Sequence, residues 1–280
     1  MNADLLSGLR GRNVLITGGG RGLGYEMALA LAAVGANVAV TAARSAAELA
    51  QVADEAGALP GGGRFLTLQS DVIDSDQCCE TVAAVISRFG SLDVLINNAG
   101  RGLKSVNPDY VENPIPFWKA PTEGWFEIVQ TNILGVFNMS RPAAAHMVEK
   151  GYGKIINIST SDITMVRRAY SPYGPSKAFL EAASRSWAED LAGTGVTVNV
   201  FLPGGATDTA ILPDMASKRG SDGNLLDPKI MRGPVLWLCS NAADNHTGGR
   251  YIARLWDDSL PPNAAAAGAR DVCHEKPGIM

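Results

Sequence analysis

Cysteine and histidine are scarce in this chain of 280 residues: the four cysteines are Cys78, Cys79, Cys239 and Cys273, and the three histidines are His146, His246 and His274. None of the cysteines has the C-x-x-C spacing, and Cys78 and Cys79, side by side on an expected helix, point in different directions. Reduced thiols are therefore expected, and a metal site is not. Also missing is any uninterrupted apolar run of membrane-spanning length, and residues 1–12 lack the apolar segment of a signal peptide. A soluble, cytoplasmic protein without a membrane partner is the expectation. There is no basic run, and a formal charge of -4 disfavours nucleic acid as a partner. The G-x-S-x-G of a serine hydrolase is absent too, because the nearest string, Gly174-Pro175-Ser176-Lys177-Ala178, lacks the second glycine. Nor does a Pro/Gly/Ser linker divide the chain. One domain over residues 1–256 is expected, with 46% hydrophobic content to build its core. A proline- and alanine-rich tail, residues 257–280, follows, either disordered or docked on a neighbouring subunit.

What the chain does have begins at residues 14–24, V-L-I-T-G-G-G-R-G-L-G. Val14, Leu15 and Ile16 read as a short buried strand, the glycines as a turn, and residues 23–34, rich in Ala, Leu and Met, as a helix. A strand that passes through a glycine turn into a helix N-terminus makes an anion site, since free backbone N–H groups and the positive end of the helix dipole face one spot. The expected guest is a pyrophosphate. The spacing Thr17-Gly18-x-x-x-Gly22-x-Gly24 departs from the usual G-x-G-x-x-G, and taken alone it also suits a plain turn or helix cap.

Further strands are expected at residues 37–41, 65–69, 94–96, 154–158, 197–201 and 251–253. Helices are expected at 45–56, 74–89 and 123–149, the last bent at Pro142, and another opens at Asp227-Pro228 after a Gly/Asp/Thr-rich loop over 203–226. Strict alternation of strand and helix implies an α/β fold: a parallel sheet of about seven strands with helices on both faces. Residues 101–122 break the rhythm. Four prolines with Tyr110, Phe117 and Trp118 make a long loop that serves either a functional site or an oligomer contact.

Residues 159–177, S-T-S-D-I-T-M-V-R-R-A-Y-S-P-Y-G-P-S-K, follow the fifth strand. Tyr173 and Lys177 stand four apart at a helix start, so phenol and ammonium share one face. A tyrosine of pKa ~10 is a poor base at neutral pH, but an adjacent cation stabilises phenolate, and the pair is then able to shuttle a proton to or from an alcohol oxygen. The same spacing also occurs in helices with no such role.

Taken in order, these stretches resemble the short-chain dehydrogenase/reductase family over residues 10–255. Thr17 to Gly24 matches its T-G-x-x-x-G-x-G turn, and Asn97-Asn98-Ala99-Gly100 its N-N-A-G after the fourth strand. Asn132 falls in the long helix that carries the family's active-site Asn, Tyr173-x-x-x-Lys177 matches Y-x-x-x-K, and Pro203-Gly204 matches the P-G turn beside the nicotinamide. The resemblance implies a single-domain, Rossmann-type doubly wound sheet and hydride transfer between NAD(P) and a ketone or secondary alcohol. It casts Tyr173 as acid/base, Lys177 as the group that lowers its pKa and holds the nicotinamide ribose, and Asn132 as part of a water-linked proton relay. Cofactor contacts are implied at Thr17, Gly18, Arg21, Gly22, Leu23, Gly24, Asp71 and Val72 (the adenine end), Asn98, Ala99, Gly100, Pro203 and Gly204, besides Tyr173 and Lys177. Asn97 serves equally well as a tie between strands.

Counting back 13 residues from Tyr173 reaches Thr160 at the family's serine position, flanked by Ser159 and Ser161, and any of the three is able to fill it. The count picks Thr160, and if it faces the cofactor, strand alternation turns Ser159 and Ser161 away. Asp208 stands where a cofactor-contacting Thr is common, leaving Thr207 and Thr209 unassigned, and Arg254-Leu255-Trp256-Asp257 replaces a glycine-rich finish. NADP is expected over NAD, because Thr41-Ala42-Ala43-Arg44 offers no acid at the end of the second strand while Arg21 and Arg44 reach for a 2'-phosphate. The competing functions are a non-catalytic NADP-binding regulator on the same fold and a sugar-nucleotide epimerase, which would need a larger C-terminal domain. Phe117 and Trp118 suggest an apolar pocket wall, Arg167 and Arg168 an anionic substrate or plain surface charge. A homo-oligomer, a tetramer ahead of a dimer, is implied, with Phe179, Ala182, Ala183 and Trp187 facing either a partner or the sheet.

Overall fold

A computed structural model describes residues 8–213 and 223–272. Seven strands form one sheet: β1 Asn13–Ile16, β2 Asn37–Ala42, β3 Phe65–Gln69, β4 Val94–Asn97, β5 Gly153–Ile158, β6 Val196–Leu202 and β7 Arg250–Ile252. All neighbours are parallel, in the order β3-β2-β1-β4-β5-β6-β7. Winding reverses between β1 and β4, and the crevice beyond their carboxyl ends is where such sheets take ligands.

Both faces of the sheet are covered, which is why its strands read as apolar runs. Alternation along β1 sends Val14 and Ile16 to one core and Leu15 to the other. The first core is closed by α1 Gly22–Ala33, α2 Ala46–Gly57 and α8 Arg232–Cys239, with Met27, Leu31, Val52 and Trp237 at its centre. The second is closed by α3 Ser75–Phe89, α5 Gly135–Lys150 and α7 Tyr173–Asp190 through Val82, Val85, Met139, Met147 and Ala188. Helix ends follow local chemistry. Ser45 caps α2 by accepting from the Glu48 N–H, Asp74 caps α3 by accepting from Asp76 and Gln77, and Gly90 ends α3 in the left-handed region.

Three expectations change. The single helix over 123–149 is α4 Thr122–Val129, a π-helical turn Gln130–Leu134, and α5, with Pro142 inside α5. The loop over 101–122 contains two 3-10 turns and buries Leu103, Val106 and Tyr110. The tail is neither disordered up to residue 272 nor turned outward. Its helix α9 Pro262–Ala269 buries Ala265, Ala266 and Ala269 on this chain's own core, Asn263 accepts from the Trp237 indole at 2.8 Å, and Arg270 bridges antiparallel to Tyr251. Alanines without a charged face hid this helix's inward side. Residues 273–280, with Cys273 and His274, lie outside the described residues. The short α6 Asp162–Met165 sits between β5 and α7. Among the described residues no metal-binding cluster is present, and no helix is long and apolar enough to cross a membrane. Cys78 is buried and Cys79 exposed, as divergent neighbours on α3 should be.

Candidate active site

At the carboxyl end of β1 the chain turns through glycines because nothing larger fits. Gly18 has φ +64°, and a Cβ on Gly24 would lie 2.4 Å from the Gly18 carbonyl oxygen and 2.5 Å from Asn98 Nδ2. Gly19 is just as confined, since its Cβ would lie 2.5 Å from Val40 Cγ1, a constraint on Val40 that the motif does not announce. Thr17 and Asn98 are bonded to this scaffold. Asn98 Nδ2 donates to the Thr17 and Gly18 carbonyls at 3.0 and 2.9 Å, and Thr17 Oγ1 accepts from the N–H groups of Asn98 and Ala99 at 3.0 Å. These two side chains therefore act as struts between the β1 turn and the β4 loop. The resulting bare cradle at the N-terminus of α1, which begins with Gly22-Leu23-Gly24, fits a pyrophosphate.

Around the cradle, Arg21 is exposed and pairs with Glu48 at 3.3 Å, and Arg44 is exposed on the loop after β2. Asp71 follows β3, its carboxylate accepting from the Ile73 N–H at 3.2 Å. Val72 buries its side chain, a Cβ on Gly135 of α5 would lie 2.5 Å from Val72 Cγ2, and the Val72 carbonyl accepts from Asn138 Nδ2 at 3.0 Å. Pro203-Gly204 lies beside the end of β7, where the Arg254 N–H donates to the Pro203 carbonyl at 3.0 Å. Lys104 ties the loop after β4 to the facing loop by donating to the carbonyls of Ala210 and Leu212 at 3.3 and 3.5 Å.

The residues expected at the site meet at the loop after β4. A Cβ on Gly100 would lie 3.4 Å from Asn132 Oδ1 and 3.7 Å from Lys177 Nζ, so the β4 loop, the π turn and α7 meet there. Asn132 is fully buried, its Oδ1 accepting from the Arg101 N–H at 2.8 Å and its Nδ2 donating to Ser176 Oγ at 3.0 Å. Ser176 Oγ donates in turn to the Tyr173 carbonyl at 2.6 Å. Ser176, a small buried polar residue one turn after Tyr173, was not among the expected site residues. The π turn is equally unannounced, and such turns recur at functional sites. Asn97 ties strands together: its Nδ2 donates to Ser140 Oγ and to Asn157 Oδ1, each at 2.8 Å.

Of the three hydroxyls after β5, Ser159 donates to Glu181 at 2.7 Å and Ser161 bonds Thr164 at 2.9 Å, whereas the Thr160 side chain is the one that acts on the Tyr173 phenol and draws its pKa down. Removal from water holds Tyr173 above the usual tyrosine range, and the Thr160 bond pulls it back. This differs from the expected lowering by Lys177, whose Nζ instead donates to the Ile158 carbonyl at 2.8 Å. Phe117 and Trp118 do not line a pocket wall: they stack edge to face on each other, 69% and 71% exposed. Tyr110, buried, packs on Tyr170 instead, and the Arg167 guanidinium lies over that same ring at 4.8 Å.

Burial lowers the Lys177 pKa from 10.5 to about 8, against an opposing pull from Glu181. The unfolded chain keeps the lysine proton up to about pH 10.5 and the folded chain releases it near 8, so burial of the charge penalises the fold fully below pH 8 and fades as pH rises towards 10.5. Urea titrations should therefore show the wild type gaining stability relative to Lys177→Met between about pH 7.5 and 9.5. A difference independent of pH would contradict the shift.

A doubly wound sheet with a glycine cradle at its switch point and buried polar side chains beside it is the arrangement of a dinucleotide-binding protein. The family described as short chain dehydrogenase matches residues 12–220. A 3-oxoacyl-(acyl-carrier-protein) reductase, FabG, of Staphylococcus aureus is 34% identical over 193 residues, 69% of this chain and 74% of that protein. A short chain dehydrogenase from Burkholderia cenocepacia in complex with NADP superposes with a TM-score of 0.73 at 29% identity, covering 87% of this chain and 96% of that one. A 3-ketoacyl-(acyl-carrier-protein) reductase from Brucella melitensis complexed with NADH gives a TM-score of 0.75 at 29% identity over 86% and 96%. The chain belongs to the short chain dehydrogenase family, nicotinamide-dependent enzymes acting on C=O and CH–OH groups.

Proposed function

We propose that this protein is a cytoplasmic, NADP(H)-dependent oxidoreductase that interconverts a ketone and a secondary alcohol, with Tyr173 as acid/base. The convergence of Asn132 and Lys177 on Gly100, with the Thr160 side chain acting on the Tyr173 phenol at the start of the same helix as Lys177, carries this reading. When bound, the nicotinamide supplies or accepts the hydride. In the reducing direction the Tyr173 hydroxyl releases its proton to the carbonyl oxygen while the Thr160 hydroxyl donates a hydrogen bond to that oxygen as charge grows on it. Lys177, near the Asn132 side chain and Gly100, holds the nicotinamide ribose, and Asn132 fixes the π turn against Arg101 and Ser176 so that a water-linked path to Lys177 has a wall. When the cofactor is bound, Gly18, Gly22 and Gly24 would admit its pyrophosphate, Asp71 and Val72 would hold its adenine end, and Pro203-Gly204 would lie at its nicotinamide end.

NADP preference rests on Arg21 and Arg44. The pairing of Arg21 with Glu48 is exposed, and exposed pairs contribute little, so a 2'-phosphate displaces the carboxylate readily. Charge-assisted bonds to that phosphate make Arg21→Ala cost about 10- to 100-fold in NADPH affinity with little effect on NADH. Fluorescence titration of both cofactors checks this, and equal affinities in the unaltered protein would refute the preference. Because the FabG relative is a 3-oxoacyl reductase, 3-oxoacyl thioesters join simple ketones, sugars and quinones as test substrates.

The assembly is proposed to be a homotetramer built on the long helices. Phe126 on α4, Leu134 in the π turn, Phe137 on α5 and Phe179 on α7 are exposed apolar side chains, while Trp187 packs on the sheet. A monomer in light scattering at micromolar concentration would refute the tetramer.

A further inference from the structure

Three consecutive residues at the end of β5 are each gripped by a charged side chain. Lys177 Nζ donates to the Ile158 carbonyl at 2.8 Å, Glu181 accepts from Ser159 Oγ at 2.7 Å, and Arg250 Nη2 donates to the Thr160 carbonyl at 3.1 Å. The grips are joined: Arg250 Nε donates to both Glu181 oxygens at 3.1 Å, and Arg250 Nη1 pairs with Asp271. Each guanidinium nitrogen of Arg250 thus has its own acceptor, and its side chain is only 13% exposed. Asp271 is placed by its own N–H, which donates to the Arg250 carbonyl at 2.8 Å, next to the antiparallel bridge between Tyr251 and Arg270. Neither Glu181, Arg250 nor Asp271 belongs to the motifs that carry the family resemblance.

We propose that Arg250, braced by Glu181 and Asp271, is a positioning residue that aims the Thr160 hydroxyl at Tyr173, which makes the C-terminal segment part of the active-site scaffold. This rests on the roles given above to Tyr173 and Thr160. The β5 ladder reaches Ser159, whose N–H donates to the Phe201 carbonyl at 2.9 Å. Beyond it the chain departs towards α6, and the peptide planes on either side of Thr160 set where its side chain points. Glu181 holds the Ser159 side chain just before Thr160, and Arg250 anchors the peptide plane after it through the Thr160 carbonyl. Threonine is stiff at χ1, so fixing its backbone directs its hydroxyl. Displacement of a reacting group by 1 Å is enough to cost about a hundredfold in rate. Holding three separate acceptors suits arginine and not lysine, because only the planar guanidinium presents Nε to Glu181, Nη1 to Asp271 and Nη2 to the Thr160 carbonyl at once.

The test compares turnover per bound NADPH, with the best ketone substrate, for Arg250→Met made in the wild type and in Thr160→Ala. In the wild type, Arg250→Met should lower kcat by about 10- to 100-fold while the Kd for NADPH stays within about twofold. In Thr160→Ala the same change should add less than about threefold, because the group it aims is already gone. Arg250→Lys, which keeps the charge beside Glu181, should recover part of the rate but not all of it. Since Arg250→Met leaves Glu181 without its partner and threatens folding, Asp271→Asn serves as the second variant. It removes only the brace, and its smaller loss of kcat, about 3- to 10-fold, should likewise vanish in Thr160→Ala. Equal losses in both backgrounds, or unchanged kcat per bound cofactor, would overturn the positioning role. A silent Thr160→Ala would instead sink the assignment of Thr160 itself, and the proposal with it.

Discussion

Tyr173→Phe is expected to bind NADPH within about twofold of the wild type and to lose about 10²- to 10⁴-fold in kcat, the range that general acid–base catalysis contributes. The ring keeps its packing at the start of α7, but the transferable proton is gone. Because removal from water holds the phenol above the usual tyrosine range, the hydroxyl of the unaltered protein is protonated at neutral pH, ready to act as an acid on a carbonyl. The alcohol-oxidising direction needs the opposite form. Its rate in the wild type should climb with pH, and that climb should be missing in Tyr173→Phe. Stopped-flow turnover in both directions separates these effects from binding. Near-normal kcat in the phenylalanine variant would remove Tyr173 from the acid/base role.

Thr160→Ala is the second large effect expected, at about 3 kcal/mol or about a hundredfold in kcat, since a donor aimed at a developing oxyanion matters more in the transition state than in the ground state. Thr160→Ser should keep most of the rate, because only a methyl is lost. Ser161→Ala should be nearly silent: its hydroxyl bonds Thr164 Oγ1 at 2.9 Å and does not face the phenol. Thr160→Ala has a further consequence. The Thr160 bond favours the phenolate, so its loss should push the Tyr173 pKa higher still and displace the oxidation profile to higher pH. A crippling Ser161→Ala beside a silent Thr160→Ala would contradict this assignment and move the reacting oxygen by one residue.

What the chain made legible in advance depended on signals confined to a few neighbouring residues. The buried strands are apolar runs because both faces of a parallel sheet are covered, and the turn after β1 is written in glycine because Gly18 and Gly24 leave no room for a Cβ. The count of 13 back from Tyr173 singled out Thr160, and alternation set its neighbours on the other side of the strand end, where Ser159 bonds Glu181 at 2.7 Å. What stayed hidden depends on contacts far apart in sequence. Nothing local in Gln130–Leu134 marks a π turn, which exists where Asn132 is held by the backbone of Arg101 and by Ser176. The inward docking of α9 hangs on Trp237 and Tyr251, and the arrangement of Lys177 hangs on the Ile158 carbonyl, which accepts from its ammonium. Phe117 and Trp118 misled for a related reason: an aromatic pair in a proline-rich loop has the same composition on a pocket wall as on an open surface.

The most direct test follows dihydronicotinamide absorbance while purified protein and NADPH meet a panel of ketones, 3-oxoacyl thioesters, sugars and quinones, with Tyr173→Phe run alongside. The result expected is oxidation of NADPH that depends on one carbonyl class, matches the alcohol formed mole for mole, and disappears in the phenylalanine variant. Tight NADPH binding in both proteins, with no oxidation by any member of the panel, would contradict the catalytic account and leave a cofactor-binding regulator in its place.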